Sequence, residues 1–416
     1  MAVRVVEDAT ELRATLGAIS AFITKGATPT TYGFQWESSG VTFLRSECVS
    51  ERGLDLRQSM YISEAANQAL RRSQVSDGDL LVTITGNVGR VVRLAGVGVA
   101  NINQHIARVR VKDPRFESAF VYHYLSQRVV REHYETIVTG QAFPQISLVQ
   151  VRDTEVIGPS TEAQRAIARA LDDSDELIAA LERLIAKKQA IKQGMMHQLL
   201  TGKTRLPGFT DSWSVSTVGD VADVKTGPFG SALHERDYVP NGTPIITVEH
   251  LGERSVEGAG APMVSETDRR RLRAYSLAEG DIVFSRVGSI DRSAMVSSNE
   301  AGWLFSGRLL RVRLQSSVAD PQFMSAQFHS GKFTEAVRAV AVGQTMRSLN
   351  TAILNGVSVV IPPLDEQKAI GVVVKDLDHE LDVLESNLEK ARGVKRGMMQ
   401  ELLTGRTRLP IKEVAS

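Results

Sequence analysis

Cysteine is almost absent: Cys48 is the one thiol in 416 residues. A lone cysteine cannot close an intrachain disulfide and no zinc site can rest on paired thiols, which fits a reducing compartment. Long apolar runs are missing too. No stretch approaches the roughly 18 residues that span a bilayer, and the opening MAVRVVEDATELRATLG lacks the basic start and apolar core of a signal peptide. The expected location is therefore the cytoplasm. Charge of one sign is equally scarce, since 49 Lys plus Arg against 48 Asp plus Glu leave +1. No overall positive excess is available to hold a polyanion, which would have to be met by local patches. The eight histidines include no i, i+4 pair, so a catalytic zinc has no evident ligands. What is present, 42% hydrophobic and 23% charged residues, describes a globular chain with room for two or three domains and excludes a disordered or fibrous one.

The chain repeats itself. Residues 194–207 read GMMHQLLTGKTRLP and residues 397–410 read GMMQELLTGRTRLP, eleven of fourteen positions identical at an offset of 203. The same offset aligns Leu181-Glu182 with Leu384-Glu385, Ala166-Ile167 with Ala369-Ile370, and Gln164 with Gln367. More loosely, Gly78-Asp79-Leu80 matches Gly280-Asp281-Ile282, Gly86 matches Gly288, Val109-Arg110 matches Val312-Arg313, and Gly140-Gln141 matches Gly343-Gln344. Two variable segments of about 155 residues thus alternate with two similar segments of about 50, a layout that can fold with a pseudo-two-fold axis.

The similar segments read as long helices. Thr161 to Gln164 fits a capping box at the first helix start. Apolar residues recur at Ile167, Leu171, Ile178, Leu181, Ile185, Ile191, Met195 and Leu199, and again at Ile370, Val374, Leu377, Leu381, Leu384, Leu388, Ala391, Val394, Met398 and Leu402. This heptad spacing predicts an antiparallel coiled coil, with Lys188 expected opposite Ala391. Thr201-Gly202 and Thr404-Gly405 are the predicted ends. In the variable segments, residues 79–85, 281–286, 105–111 and 308–314 read as strands, and 116–134 and 321–340 as helices. The predicted fold class is α+β: two mixed α/β domains, residues 1–157 and 208–360, with helical spacer regions at 158–207 and 361–416.

Motifs that suggest catalysis fail on inspection. Gly202-Lys203-Thr204 ends like a phosphate-binding loop, but His197 stands where its first glycine belongs. Pro362-Pro363 lacks the Asn or Asp and the aromatic of a base-methylating turn. Glu366-Gln367-Lys368 mimics half of a nuclease metal site without a paired acid, and no dinucleotide loop follows a strand. No catalytic, cofactor or metal residue is assigned.

The positive signal is arginine, 36 of the 49 cations, which suits phosphate clamping and bidentate contact with guanine. It clusters at Arg71-Arg72, Arg90 with Arg93, Arg108-Arg110, Arg269 to Arg273 and Arg308-Arg311-Arg313. Amides and arginines near glycines could read base edges. The DNA-contact candidates are Arg90, Asn103, Gln104, His105, Gln141, Gln145, Arg292, Arg308, Gln344, Arg347 and Asn350. Met195, Met196, Leu199, Met398, Met399 and Leu402 exceed what a two-helix seam buries, and methionine suits an adaptable partner surface.

The whole chain, through its variable halves, paired long helices, the IPPLDEQKAI lead into the second helix and the GMMxxLLTGxTRLP ends, resembles the specificity subunits of type I restriction-modification enzymes. The GFTDSW stretch at residues 208–213 has no counterpart before Leu16-Gly17. The resemblance implies a non-catalytic subunit with two target recognition domains, each reading half of a split double-stranded DNA sequence, and helices that set their separation and dock methyltransferase subunits, two of them expected. It also implies a possible restriction subunit, with S-adenosylmethionine, ATP and Mg held by the partner subunits. A recognition subunit of a methylation-only or other phage-defence system, and an enzyme with an unrecognised active site, are the alternatives.

Overall fold

The computed structural model describes residues 11–409, apart from residues 52, 141, 229–232, 253–254 and 342–347. Its contacts divide the chain into two units, Met1–Leu181 with Asn387–Ser416 and Glu182–Ser386. Each unit combines one variable half with parts of both long helices.

The first unit is built on a four-stranded antiparallel sheet in the order Ser20–Lys25, Ile106–Val111, Leu80–Thr83, Val91–Arg93. Both faces of its central strands are covered, so Leu80–Thr83 is buried throughout and Ile106–Val111 over its first four residues, Arg108 included. Leu80, Val82, Ala107 and Val109 face a core beneath the helices, while Leu81, Val92 and Ile106 face a smaller one shared with a second sheet. That sheet runs Met60–Ile62, Val41–Leu44, Ala100–Ile102, Gln74–Val75, with Val41–Leu44 and Ala100–Ile102 parallel. Leu12–Thr15 pairs with Glu155–Gly158, just before the first long helix.

The second unit repeats the plan. Its main sheet runs Ala222–Thr226, Leu309–Leu314, Ile282–Ser285, Ser293–Met295, and Ser214–Thr217 pairs with Ser358–Ile361 before the second long helix. The strand Leu12–Thr15 is therefore the counterpart of Ser214–Thr217, and residues 6–10, which would stand opposite all of GFTDSW but its Trp213, lie outside the described residues. The predicted strands are found at Leu80–Thr83, Ile282–Ser285, Ile106–Val111 and Leu309–Leu314. Each predicted variable-half helix is two: Ser118–Leu125 then Arg128–Ile137, and Pro321–Phe328 then Gly331–Val340. The break in the second is set by Ser330, whose hydroxyl accepts from Phe333 N–H, an alternative backbone partner that periodicity does not register.

The long helices span Thr161–Leu200 and Leu364–Leu402 and stop at Gly202 and Gly405, which take φ of 69° and 71°, the left-handed conformation that suits glycine. The capping box is not formed as expected. Thr161 donates instead to Arg115 O at 3.1 Å, and Gln164 is a buried peg, accepting from Glu117 N–H at 3.0 Å and donating to Arg115 O and Pro159 O. Gln367 repeats this, accepting from Asp320 N–H at 2.9 Å and donating to Val318 O and Pro362 O.

Within each unit the helices pair antiparallel, in a register that corrects the expected one. Lys188 faces Glu380 at 2.6 Å, not Ala391. Lys192 pairs with Asp378 in the second unit and Lys395 with Asp175 in the first, equivalent positions of the repeat. The seam runs through lysines whose stems lie along it while their ammonium groups find carboxylates, and the apolar residues beside them turn outward: Ile191 is 41% exposed and Val394 60%.

Candidate nucleic-acid interface

In each unit three loops meet at one end of the main sheet. Beyond Leu80–Thr83, Ile84 N–H donates to His105 O at 2.9 Å and Ile84 O accepts from Ile146 N–H at 3.0 Å. Gly86, at φ 77°, donates to Pro144 O at 2.9 Å. These bonds gather residues 84–90, 103–105 and 139–146. The second unit does the same: Arg286 N–H donates to Arg308 O at 2.9 Å, Leu349 N–H donates to Arg286 O at 2.8 Å, and Val287 bridges to Ser348. Loops are where a rigid scaffold presents binding residues.

The candidates read from sequence collect here. Arg90, Asn103, Gln104, His105 and Gln145 share the first cluster, and Arg292, Arg308 and Asn350 the second. Gln141, Gln344 and Arg347 lie outside the described residues. Their side chains differ in availability. Gln145 and Arg308 are exposed. Asn103 is buried and its carbonyl oxygen accepts from His105 N–H at 3.1 Å, fixing the turn. Asn350 caps the helix Thr351–Asn355 by accepting from Ile353 N–H at 2.8 Å. Gln104 accepts from the Thr28 hydroxyl at 2.6 Å and its amide lies 3.0 Å from His105 Nε2. Arg292 donates to Leu251 O.

Each cluster opens onto a cleft. The first, about 260 Å³, is lined by Glu51, Asn87, Arg90, Arg131, Glu135 and Pro144, and the second, about 330 Å³, by Gly252, Asp291, Arg292, Ser293 and His329. Arg131 donates to Glu51 at 2.6 Å and holds that carboxyl below the usual carboxylate range. Arg90 and Arg292 thus occupy matching places in the two halves.

Several basic groups are spent inside the fold. Asp79 and Asp281, the acids of the repeated Gly-Asp motif, are buried and take two guanidinium bonds each, from Arg110 at 2.6 Å and from Arg313 at 2.6 and 2.8 Å. Arg108 and Arg311 are buried beside them, and burial pushes the Arg108 guanidinium down to about 10. Arg108 stacks on Phe22 at 4.0 Å. Arg93 pairs with Asp172 at 2.8 Å. Arg269 and Arg270 pair with Glu266 and hold that carboxyl at about 2, and Arg271 pairs with Asp268, all on one helix. These Arg-rich stretches answer to carboxylates distant or near in sequence, which clustering alone does not reveal.

The partner candidates divide likewise. Leu199 and Leu402 are buried, the first in the second unit's core and the second in the first unit's, with Met196 packed against one and Met398 and Met399 against the other. Met195 remains 37% exposed, near exposed Leu184 and Ile191 on its helix.

Sequence reading missed two features. Glu366 is fully buried, bound by Arg205 at 2.5 and 2.6 Å and by Trp213 Nε1 at 2.9 Å, which gives the rejected nuclease-like acid a structural use. Phe143 stands exposed among the first loops; as an apolar residue it reads as core, and only its place between Gln141 and Gln145 hinted otherwise. Among the described residues no group of three His, Cys, Asp or Glu could hold a metal, and no helix is long and apolar enough to cross a membrane.

Comparison with known proteins agrees with this architecture. A family model described as the type I restriction modification DNA specificity domain matches residues 23–193 and 210–391, one match per half. The chain is 21% identical over 349 residues to the MjaVIII type I restriction enzyme specificity subunit of Methanocaldococcus jannaschii, covering 80% of each chain. It is 19% identical over 393 residues to the EcoBI specificity subunit of Escherichia coli, covering 88% of this chain and 82% of the relative. The fold matches that of the S subunit of a type I restriction-modification system from M. genitalium, at a TM-score of 0.65 and 14% identity over 96% of this chain and 97% of that one. A chain from a structure describing complex assembly and conformational transition of the type I R-M system gives 0.55 at 15% identity, over 94% and 97%. With both halves matched by the DNA specificity model and the fold shared with S subunits, the chain belongs to the specificity subunits of type I restriction-modification systems.

Proposed function

We propose that this subunit recognises a bipartite double-stranded DNA target, the half 1–157 reading one half-site and the half 208–360 the other. The observation that carries this reading is the matched loop cluster in each unit, equivalent in backbone bonding and different in side chains. One scaffold holding two sets of readers is what a split, asymmetric target requires. Of the candidates, Arg90, Gln145 and Arg308 are the available side chains that would meet phosphates or base edges, while Asn103 and Asn350 would act by fixing the loops. The first half carries 17 basic and 16 acidic residues and the second 15 and 16, too even a balance for a strong electrostatic grip alone. Methyltransferase subunits would supply the rest of the grip, the methyl-transfer chemistry and the bound S-adenosylmethionine; a restriction subunit would bring ATP and Mg. The paired helices would set the unread spacer, and the complex would work in the cytoplasm.

Docking of those subunits falls to the outward faces of the helices, with Met195, Leu184 and Ile191 among its exposed apolar residues in the second unit. Ile191→Glu with Met195→Glu should abolish co-purification of the methyltransferase while leaving the melting temperature within a few degrees; undiminished co-purification would remove these residues from the docking face. The function as a whole is tested by mapping methylated bases across the source genome with and without the gene. A bipartite motif that vanishes on deletion is expected, and an unchanged methylome would rule the reading out.

A further inference from the structure

Phe143 is 77% exposed, more than any other large hydrophobic residue among those described. An aromatic ring left in water forgoes the burial that aromatic side chains otherwise bring to a fold. The loop that carries it is firmly braced. Thr139 and Gln145 exchange backbone hydrogen bonds of 2.9 Å in both directions, Pro144 O accepts from Gly86 N–H at 2.9 Å, and Ile146 N–H donates to Ile84 O at 3.0 Å. Gly140 takes φ of 86°, and a Cβ there would lie 2.7 Å from Phe143 O, so the turn closes on the residue only because position 140 is glycine.

The surroundings point to what the ring meets. Asn87 and Gln145 are exposed amides, and Arg90 lines the cleft beside Pro144. Among the described residues Arg90 makes no ion pair. Amides and a guanidinium group suit base edges and phosphates; a bare phenyl ring on a braced tip suits neither. Its chemistry fits the space between two stacked bases, where apolar wedges open a step and bend the duplex. The sequence places Met346 at the matching position of the second half, another side chain of the wedging type.

We propose that Phe143 inserts between adjacent base pairs of the first half-site, so that this half reads the deformability of one base step as well as base edges. The inference rests on the DNA-reading role proposed for the loop cluster. Sequence preference then arises at a step the protein does not hydrogen-bond, strongest where pyrimidine precedes purine, since those steps unstack most easily.

The test uses the full chain assembled with its methyltransferase subunits, on duplexes of the genomically mapped site. 2-Aminopurine is placed at one position of the first half-site at a time, away from the methylated base. One position should brighten several-fold on binding. Phe143→Ala should lose that signal and bind about tenfold more weakly, on the scale of a lost base–aromatic stack, while Phe143→Leu keeps most of both. A mismatch at the bright step should tighten binding by the wild type and leave Phe143→Ala unchanged. The wedge is overturned if no position brightens, if Phe143→Ala binds within twofold of wild type, or if it loses affinity equally on matched and mismatched duplexes, as a groove contact to a thymine methyl would. Arg90→Ala and Gln145→Ala score the underlying reading separately: if they weaken binding and Phe143→Ala does not, the wedge alone fails, and if none of the three does, the loop cluster is not the DNA-reading surface.

Discussion

The two units fasten their recognition halves to a long helix with different chemistry. In the first, His123 is fully buried and donates from Nε2 to Asp172 at 2.8 Å, and the other Asp172 oxygen takes Arg93 at 2.8 Å. At the same repeat positions the second has Ala326 and Lys375. The second instead buries Glu366 beneath Arg205 and Trp213, and the first has Ala163 at that place. The glutamine pegs Gln164 and Gln367, the buried Asp79 and Asp281 pairs, and the Asp–Lys ties between helices are common to both. What the halves share is the frame that holds three loops together; what differs between them are the fasteners and the loop side chains. A frame with interchangeable local anchors can carry new loop side chains without being rebuilt.

The sharpest way to break that comparison is to remove the anchor found only in the second unit. Glu366→Ala leaves the Arg205 guanidinium beside an emptied pocket and the Trp213 N–H without its acceptor. It should cost about 3 kcal/mol, the lower end of the penalty for breaking a buried pair, because the Arg205 side chain it strands is 26% exposed. Hydrogen exchange should show the loss at Ser214–Thr217 and Ser358–Ile361 and not at Leu12–Thr15 and Glu155–Gly158. Equal loss in both pairs would mean the anchor is not local.

Next come the shared pegs. Gln164→Ala and Gln367→Ala each strand a buried N–H and two carbonyls, and each should destabilise its own unit by about 2–3 kcal/mol. Denaturant unfolding followed by exchange would give the two values. A difference much above about 1 kcal/mol would deny that the pegs do equal work.

The smallest expected effect separates the units by pH. His123 Nδ1 is buried without a partner, so a second ring proton has no acceptor, and burial outweighs the attraction of Asp172 and holds the imidazole below its ordinary value of 6.5. Between the folded value and 6.5 only the unfolded chain takes the proton. The first unit should therefore keep its full stability above pH 6.5 and lose it as the pH falls below, by at most about 1.4 kcal/mol per pH unit. His123→Gln should flatten the slope. A slope unchanged in His123→Gln would assign the effect elsewhere.

Much of the frame was legible in the sequence because repetition is independent of propensity: Gln164 and Gln367, Gly202 and Gly405, and the Gly-Asp motif announced themselves at offsets of 202 and 203. Their partners were less so. Arg110 and Arg313 belong to carboxylates about 31 residues away, and a run of alternating arginines gives no sign of that. Lys188 and Lys192 occupy seam positions that hydrophobicity assigns to Ile191 and Met195, because a lysine stem packs like an apolar chain. Asn103 and Asn350 were placed in the right loops but hold the backbone there. Phe143 was missed because its exposure is a tertiary fact.

The central claim, one recognition half per half-site, is tested most directly by exchanging residues 1–157 for the matching part of a relative and mapping methylated bases by long-read sequencing. The account predicts a motif in which one half-site is new and the other is unchanged. A motif altered in both halves, or in neither, would contradict it.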